Sequence, residues 1–243
     1  MKPTVLIATH KRIQITEFNI ETLMQQTVVP KVVLVVSDMD EYHLFKNNYP
    51  DVFVCRHPNQ PLGGKWNYGV QIARTLGADP LVILGSDDIL GENYIENCTK
   101  LTTDGNHFIG LQRWFIHHKG KAYLCDYLAN LPLGGGRCHS AAMLDKLDWK
   151  IFEIQKNRHL DDYGFDRVRG SELKMKWVRD VEKEGLLIHA IKGPWDVMNA
   201  FNLKHKNIKL ISTHDSKRIL PLVPGRFHDF TDRGQDANYD KAK

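Results

Sequence analysis

Uninterrupted apolar runs set the organisation of the first half of the chain. Residues 4–9 (Thr-Val-Leu-Ile-Ala-Thr), 31–36 (Lys-Val-Val-Leu-Val-Val), 53–56 and 80–84 (Pro-Leu-Val-Ile-Leu) are rich in β-branched residues and leucine. They lack the polar alternation of a half-exposed strand, so each predicts a strand buried on both faces. Between the first two, residues 13–26 place Ile15, Phe18 and Leu23 at helical spacing, flanked by Ile20 and Met24. Pro30 closes that connection. Strand, helix, strand is a βαβ unit, for which parallel pairing and a right-handed crossover are the default. Thr9, His10, Lys11 and Arg12 then share one sheet edge with Ser37 and Asp38. After the third strand a polar loop, residues 57–65, leads to a helix over 66–76 with Val70, Ile72, Ala73 and Leu76 inward. The predicted class is α/β: a Rossmann-like central mixed sheet flanked by helices.

The fourth run breaks at Gly85-Ser86 and sets Asp87 beside Asp88. Adjacent carboxylates repel and need cations, donors or solvent to stay ionised. The carboxyl end of a buried strand is where ligands sit in α/β sheets. Two readings follow: the pair holds a divalent cation, or Asp caps a helix over 91–101. In the second half, residues 108–116 and 121–125 predict strands joined through His117-His118-Lys119-Gly120, a hairpin signal. The two histidines read as loop residues. Three glycines, 134–136, permit close backbone approach. A helix over 140–147 with Leu144 and Leu147 inward comes next, then a second acidic cluster around Asp161, Asp162 and Asp166. Residues 185–191 predict a further strand. Basic residues recur from Lys204 to Arg226, and the polar stretch 229–243 reads as a loose tail.

Composition narrows the class without naming a chemistry. The 243 residues suit a single domain over 1–228, with halves 1–101 and 102–228. A net charge of +4 suits an anionic ligand such as a nucleotide. Cys55, Cys98, Cys125 and Cys138 lack CxxC spacing, which argues against a zinc site or a disulfide framework. Reduced thiols, no signal-peptide pattern and no apolar run near ~18 residues predict a cytoplasmic protein without a membrane span. Gly63, Gly64 and Lys65, at the predicted helix start, could cradle an anion. They form no Walker motif, and the chain has no GxGxxG.

Read together, residues 4–12 (Thr-Val-Leu-Ile-Ala-Thr-His-Lys-Arg), 32–38 (Val-Val-Leu-Val-Val-Ser-Asp), 63–69 (Gly-Gly-Lys-Trp-Asn-Tyr-Gly) and 84–88 (Leu-Gly-Ser-Asp-Asp) resemble the successive motifs of GT-A glycosyltransferases, most like family 2. The resemblance covers about the first hundred residues, with all motifs in order. It implies a GT-A-like fold, a nucleotide-sugar donor (a UDP-sugar above all) and a Mn²⁺ or Mg²⁺ ion. Thr9 and Asp38 would meet base and ribose. Lys11, Arg12, Lys65, Asn67, Ser86, Gly135 and Gly136 would line the rest of the donor site, with Asn67 and Gly69 matching the helix motif. Asp87 matches the second acid of Asp-x-Asp, the metal ligand, with Asp88 beside it and His189 or His214 as a further ligand. Two positions depart from the pattern: Gly85 stands for the first acid, and Trp66 for the motif's Arg.

The same resemblance makes Asp161-Asp162 the acidic pair that deprotonates the acceptor. Attack by a hydroxyl on an anomeric carbon is helped by a carboxylate within hydrogen-bond reach. Helical neighbours lie ~100° apart, so only one of the two enters the cleft. Asp162 matches the motif's base, with Asp161 as the alternative. The alternative for both is capping of the helix that follows. The expected reaction is metal-dependent, inverting transfer to a saccharide, protein or small-molecule hydroxyl. A compact chain of this kind also resembles viral, phage-like enzymes. There the acceptor can be a hydroxylated base in DNA, and the location would be the host cytoplasm. A nucleotidyltransferase remains a rival, although it would carry a glycine directly after the first strand. A non-catalytic nucleotide-sugar or DNA-binding module is the other rival. Oligomeric state is not readable.

Overall fold

The computed structural model describes residues 1–118, 121–126, 134–192 and the backbone of 208–210. The chain opens with β1 (Thr4–Ala8), α1 (Ile13–Leu23), β2 (Lys31–Val36), α2 (Met39–Asn48), β3 (Val52–Arg56), α3 (Leu62–Thr75) and β4 (Leu81–Gly85). Then come β5 (Asp88–Leu90), α4 (Tyr94–Thr103), β6 (Phe108–Leu111), β7 (Arg113–His118) and β8 (Lys121–Asp126). The remainder is β9 (Arg137–His139), α5 (Ala141–Lys146), α6 (Leu160–Arg169), β10 (Met175–Val178), β11 (Ile188–Lys192) and β12 (Ile208–Leu210). No helix among the described residues is long and apolar enough to cross a membrane.

A seven-stranded sheet runs in the order β10-β6-β9-β4-β1-β2-β3. Its pairings are parallel except where β9 lies antiparallel between β4 and β6. The fold is the expected α/β class, a mixed central sheet flanked by helices. Successive buried residues of one strand serve opposite faces, as the pleat requires. Val5, Ile7, Val32, Leu34, Val82 and Leu84 join Ile20 and Leu23 of α1, Phe45 of α2 and Ile95 of α4 in one core. Leu6, Val33, Val35 and Ile83 pack on the other face with Val70 of α3, Met143 and Leu144 of α5 and Leu160 and Val168 of α6. Gly69 explains how close α3 comes: a Cβ there would stand 2.4 Å from Leu6 Cδ1 and 2.8 Å from Val35 Cγ2.

A second sheet, β12-β8-β7-β11-β5, adjoins the first. It begins within the predicted run 108–116. The chain leaves the first sheet at Leu111 and enters the second at Arg113, so one expected strand is two. The helix expected at 91–101 starts at Tyr94, because residues 88–90 instead pair antiparallel with β11. Asp88 therefore caps no helix. The last predicted strand is shifted to Ile188–Lys192. α3 begins four residues earlier than the glycines suggested. Gly63 lies inside its first turn because the backbone of the 153–156 loop presses on it: a Cβ there would lie 1.8 Å from the Glu153 carbonyl oxygen. The expected tail and His214 lie outside the described residues.

Candidate active site

The strand order reverses between β1 and β4: the chain moves outward from β1 to β2 and β3, then returns through α3 to the other side of β1. Crevices at such switch points, beyond the carboxyl ends of the strands, hold ligands in open α/β sheets. Residues 9–12, 37–38 and 86–88 all lie there. Thr9, Asp38, Asp87 and Asp88 thus share one edge, as the βαβ reading anticipated.

The β1 and β2 ends are tied to each other. Asp38 is the N-cap of α2, its Oδ1 accepting the Glu41 N–H at 2.8 Å. Glu41 is 3% exposed and accepts the N–H groups of Lys11 and Ser37. Lys11 takes a left-handed backbone (φ 56°), which turns its N–H toward that carboxylate. Ligand atoms of His10, Asp38 and Glu41 lie within 4.8 Å of one another, one group of three metal-capable side chains among the described residues. His10 Nδ1 is buried there without a hydrogen-bond partner. Thr9 is buried, and its hydroxyl pairs with that of Thr16 at 2.9 Å.

Lys65 and Asn67 sit differently from the expectation of donor contacts. Lys65 is 1% exposed, and its ammonium donates to Thr9 O, to Ser37 Oγ at 2.7 Å and to Asn59 Oδ1 at 3.2 Å. Burial pulls its pKa down to about 8, although Glu41 and Asp38 favour the charged form. The early N–H groups of α3 are also committed: Leu62 to Asn157 Oδ1, Gly63 to Lys156 O and Lys65 to Pro61 O. Of the anion cradle expected of residues 63–65, the Gly63 and Lys65 N–H groups thus meet the protein's own carbonyl oxygens. Asn67 accepts the N–H groups of Ile151 and Phe152 and donates to Phe152 O at 2.7 Å. Asn67→Ala should cost roughly 3 kcal/mol in urea unfolding, since it strands several buried polar groups. Nucleoside-diphosphate affinity of the folded protein should stay unchanged.

At the β4 end the two acids part company. Asp87 Oδ2 accepts from the Lys192 ammonium at 2.6 Å, and its Oδ1 lies 3.4 Å from Arg12 Nη1. The same Arg12 nitrogen lies 3.4 Å from Ser86 Oγ. Burial pushes the Asp87 carboxyl up, but Lys192 and then Arg12 outweigh it and hold it below the ordinary range. Asp88 turns the other way. Its Oδ2 accepts the Gly85 N–H at 3.2 Å. A Cβ at Gly85 would lie 2.5 Å from that oxygen, and one at Gly135 2.3 Å. The Asp88 carboxylate is therefore clasped between two glycine backbones. Gly136 extends the clasp with a positive φ of 73°, its N–H bonding Ile83 O and its carbonyl accepting the Tyr94 hydroxyl.

The glycine segment connects this end to the second acidic pair. Gly134 accepts from Arg137 Nε at 3.0 Å, and a Cβ on it would stand 2.5 Å from Asp161 Oδ2. Arg137, 2% exposed, donates through Nη2 to Asp161 Oδ1 at 2.6 Å. Asp162 stands one residue round the first turn of α6, its side chain 65% exposed and 3.4 Å from His159 Nδ1. Both carboxylates sit at the positive end of that helix.

His189 lies apart from the acids. Its Nδ1 meets His117 Nε2 at 3.0 Å, and its ring stacks on Phe115. His117, read as a loop residue, is a buried residue of β7. The group of metal-capable side chains that does converge includes neither Asp87, Asp88 nor His189. A divalent ion at Asp87 and Asp88 would have to displace an ammonium from one and a backbone N–H from the other. As arranged, these residues do not fit a divalent ion. Arg137, Lys192 and Glu41 were not anticipated; the signal for each is a contact distant in sequence.

No protein-family model matches the chain. No curated protein matches it either. Among solved structures the chain is similar to S. aureus TarS, with a TM-score of 0.59 over 80% of this chain at 12% identity. The chain spans 37% of the length of TarS. At that identity the likeness is one of fold alone, a GT-A-like α/β fold.

Proposed function

We propose that this chain is a glycosyltransferase that moves a sugar from a nucleotide-sugar to a hydroxyl with inversion. The observation that carries the reading is the convergence at one switch point of the β1, β2 and β4 ends, the 134–136 glycine segment and the acidic start of α6. Base and ribose would lie toward Thr9 and Asp38, and the diphosphate toward Arg12, Ser86 and Asp87. The sugar would lie along Gly135 and Gly136, facing α6. In the reaction the acceptor oxygen bonds the anomeric carbon as the bond from that carbon to the diphosphate oxygen breaks. The electron pair leaves with the nucleoside diphosphate, and the acceptor proton passes to a carboxylate.

Asp162 is the better base of the pair. The buried Arg137 already neutralises Asp161, whose role is then to hold the start of α6 against the glycine segment. The Mn²⁺ or Mg²⁺ implied by the resemblance enters no step here, because Asp87 and Asp88 are occupied by other groups. The acceptor stays at the level of a hydroxyl, whether on a saccharide, protein, small molecule or DNA base. Incubation with a panel of nucleotide-sugars, reading released nucleoside diphosphate, tests the reaction. One donor should be hydrolysed slowly without acceptor. Intact donors across the whole panel, even with candidate acceptors added, would count against transfer.

A further inference from the structure

Resting on that donor-site reading, we propose that Lys192, assisted by Arg12, is the built-in cation of the site and takes the place of a divalent metal. The placement follows from strand register. Ala190 pairs with Asp88, and the Ile191 N–H donates to Asp87 O at 2.8 Å. This brings the end of β11 alongside the acidic pair. Side chains alternate along a strand, so Lys192 shares a face with Ile188 and Ala190, while His189 faces the other way. The Lys192 and Asp87 side chains are 10% and 9% exposed, respectively, and meet at 2.6 Å. An ion pair removed from water to this degree has to be well matched, since its desolvation is costly.

The charge count supports the substitution. Asp87 and Asp88 bring two negative charges, and Lys192 and Arg12 bring two positive ones. A divalent ion arriving at this site would meet a neutralised pair and two repelling cations. Geometry agrees with charge. The Asp88 carboxylate fills the space beside Gly85 that a side chain on residue 85 would need. A side chain at residue 85 would require the Asp88 carboxylate to move from its present position. A glycine at 85, a carboxylate turned back at 88 and a lysine at 192 form one consistent set. An ammonium held against Asp87 at 2.6 Å also presents its charge to a diphosphate at the same sheet edge. A guanidinium beside it suits phosphate oxygens through its fork of donors. When the sugar leaves, the negative charge appearing on the nucleoside diphosphate develops against these two cations.

Calorimetric titration of the full chain with uridine, guanosine, adenosine, cytidine and thymidine diphosphates, in EDTA and in Mn²⁺, tests this. One of them should bind with the same affinity in both. Lys192→Met should weaken binding in EDTA by about tenfold or more, the scale of a lost charge-assisted hydrogen bond. Lys192→Arg should retain most of the affinity, which separates lost charge from lost folding. Wild-type binding that vanishes in EDTA and returns with Mn²⁺ overturns the proposal and leaves the donor-site reading standing. So does Lys192→Met binding as tightly as wild type in EDTA. Failure of every diphosphate to bind under either condition removes the donor site itself and this proposal with it.

Discussion

Asp162→Asn should lower donor turnover by about 10²–10⁴-fold, the usual contribution of a positioned general base. Nucleoside-diphosphate affinity should be unchanged, because Asp162 lies at the acceptor side, beyond the glycine segment. The expectation rests on the contrast within the acidic pair. Asp161 accepts from a guanidinium that is 2% exposed. That ion pair commits the Asp161 carboxylate to holding Arg137 and the glycine segment in place. Among the described residues, Asp162 meets the exposed His159 imidazole at 3.4 Å. Asp161→Asn should instead unsettle the start of α6 and the 134–136 segment, lowering both turnover and stability. Steady-state rates and urea midpoints for the two variants separate these roles. Equal rates for Asp162→Asn and wild type would remove it as the base.

Acid should unfold the protein well above the pH at which its carboxylates protonate. His139 is 1% exposed, and burial, followed by the neighbouring Arg137 charge, pulls its pKa down to about 3. His189 is fully buried and is likewise held well below the ordinary range, by burial and then by His117. Both are neutral in the folded chain and protonate near 6.5 once unfolded. Below 6.5 the unfolded state therefore binds more protons, and stability falls as pH falls. From pH 6.5 to 4.5 His139 alone accounts for about 2 kcal/mol, and His189 acts in the same direction. Asp87, whose pKa is lowered, adds its loss only below the ordinary carboxylate pKa. Urea unfolding at pH 7, 6 and 5 should show the fall, and His139→Gln should flatten it. A pH-independent midpoint across that range would contradict the neutral, buried state of these imidazoles.

The elements legible in the sequence were those whose own residues carry the signal. Residues 31–36 are a strand in the structure with those same bounds, because five consecutive buried positions leave no other reading. β9 was invisible for the opposite reason. Arg137-Cys138-His139 looks like loop sequence, yet it is a central strand whose Arg and His are buried. The Arg137 guanidinium is met by Gly134 and Asp161, which periodicity does not reveal. α2 was missed because only Glu41 and Phe45 of its residues are buried. The glycines at 63 and 64 suggested a loop, although Gly63 is needed for a close backbone approach within a helix.

At the candidate site, the shared edge of Thr9, Asp38 and Asp87 followed from βαβ topology alone. The partition of the Asp pair did not, since it depends on a lysine 105 residues away and on the glycines that clasp Asp88. Asn67 and Lys65 were read as donor contacts because they stand in a recognisable run. Three-dimensional packing instead turns the first toward residues 151–152 and the second toward Thr9, Ser37 and Asn59.

The most direct test of the donor site is the thermal and chemical stability of the full chain with saturating nucleoside diphosphate. At a ligand concentration 100 times Kd, one diphosphate should add about 2.7 kcal/mol to the unfolding free energy. Asp38→Ala should abolish that gain while Asp162→Asn preserves it. If no nucleoside diphosphate stabilises the protein, or if Asp38→Ala responds as wild type does, the assignment of the β1, β2 and β4 edge to a nucleotide-sugar is contradicted.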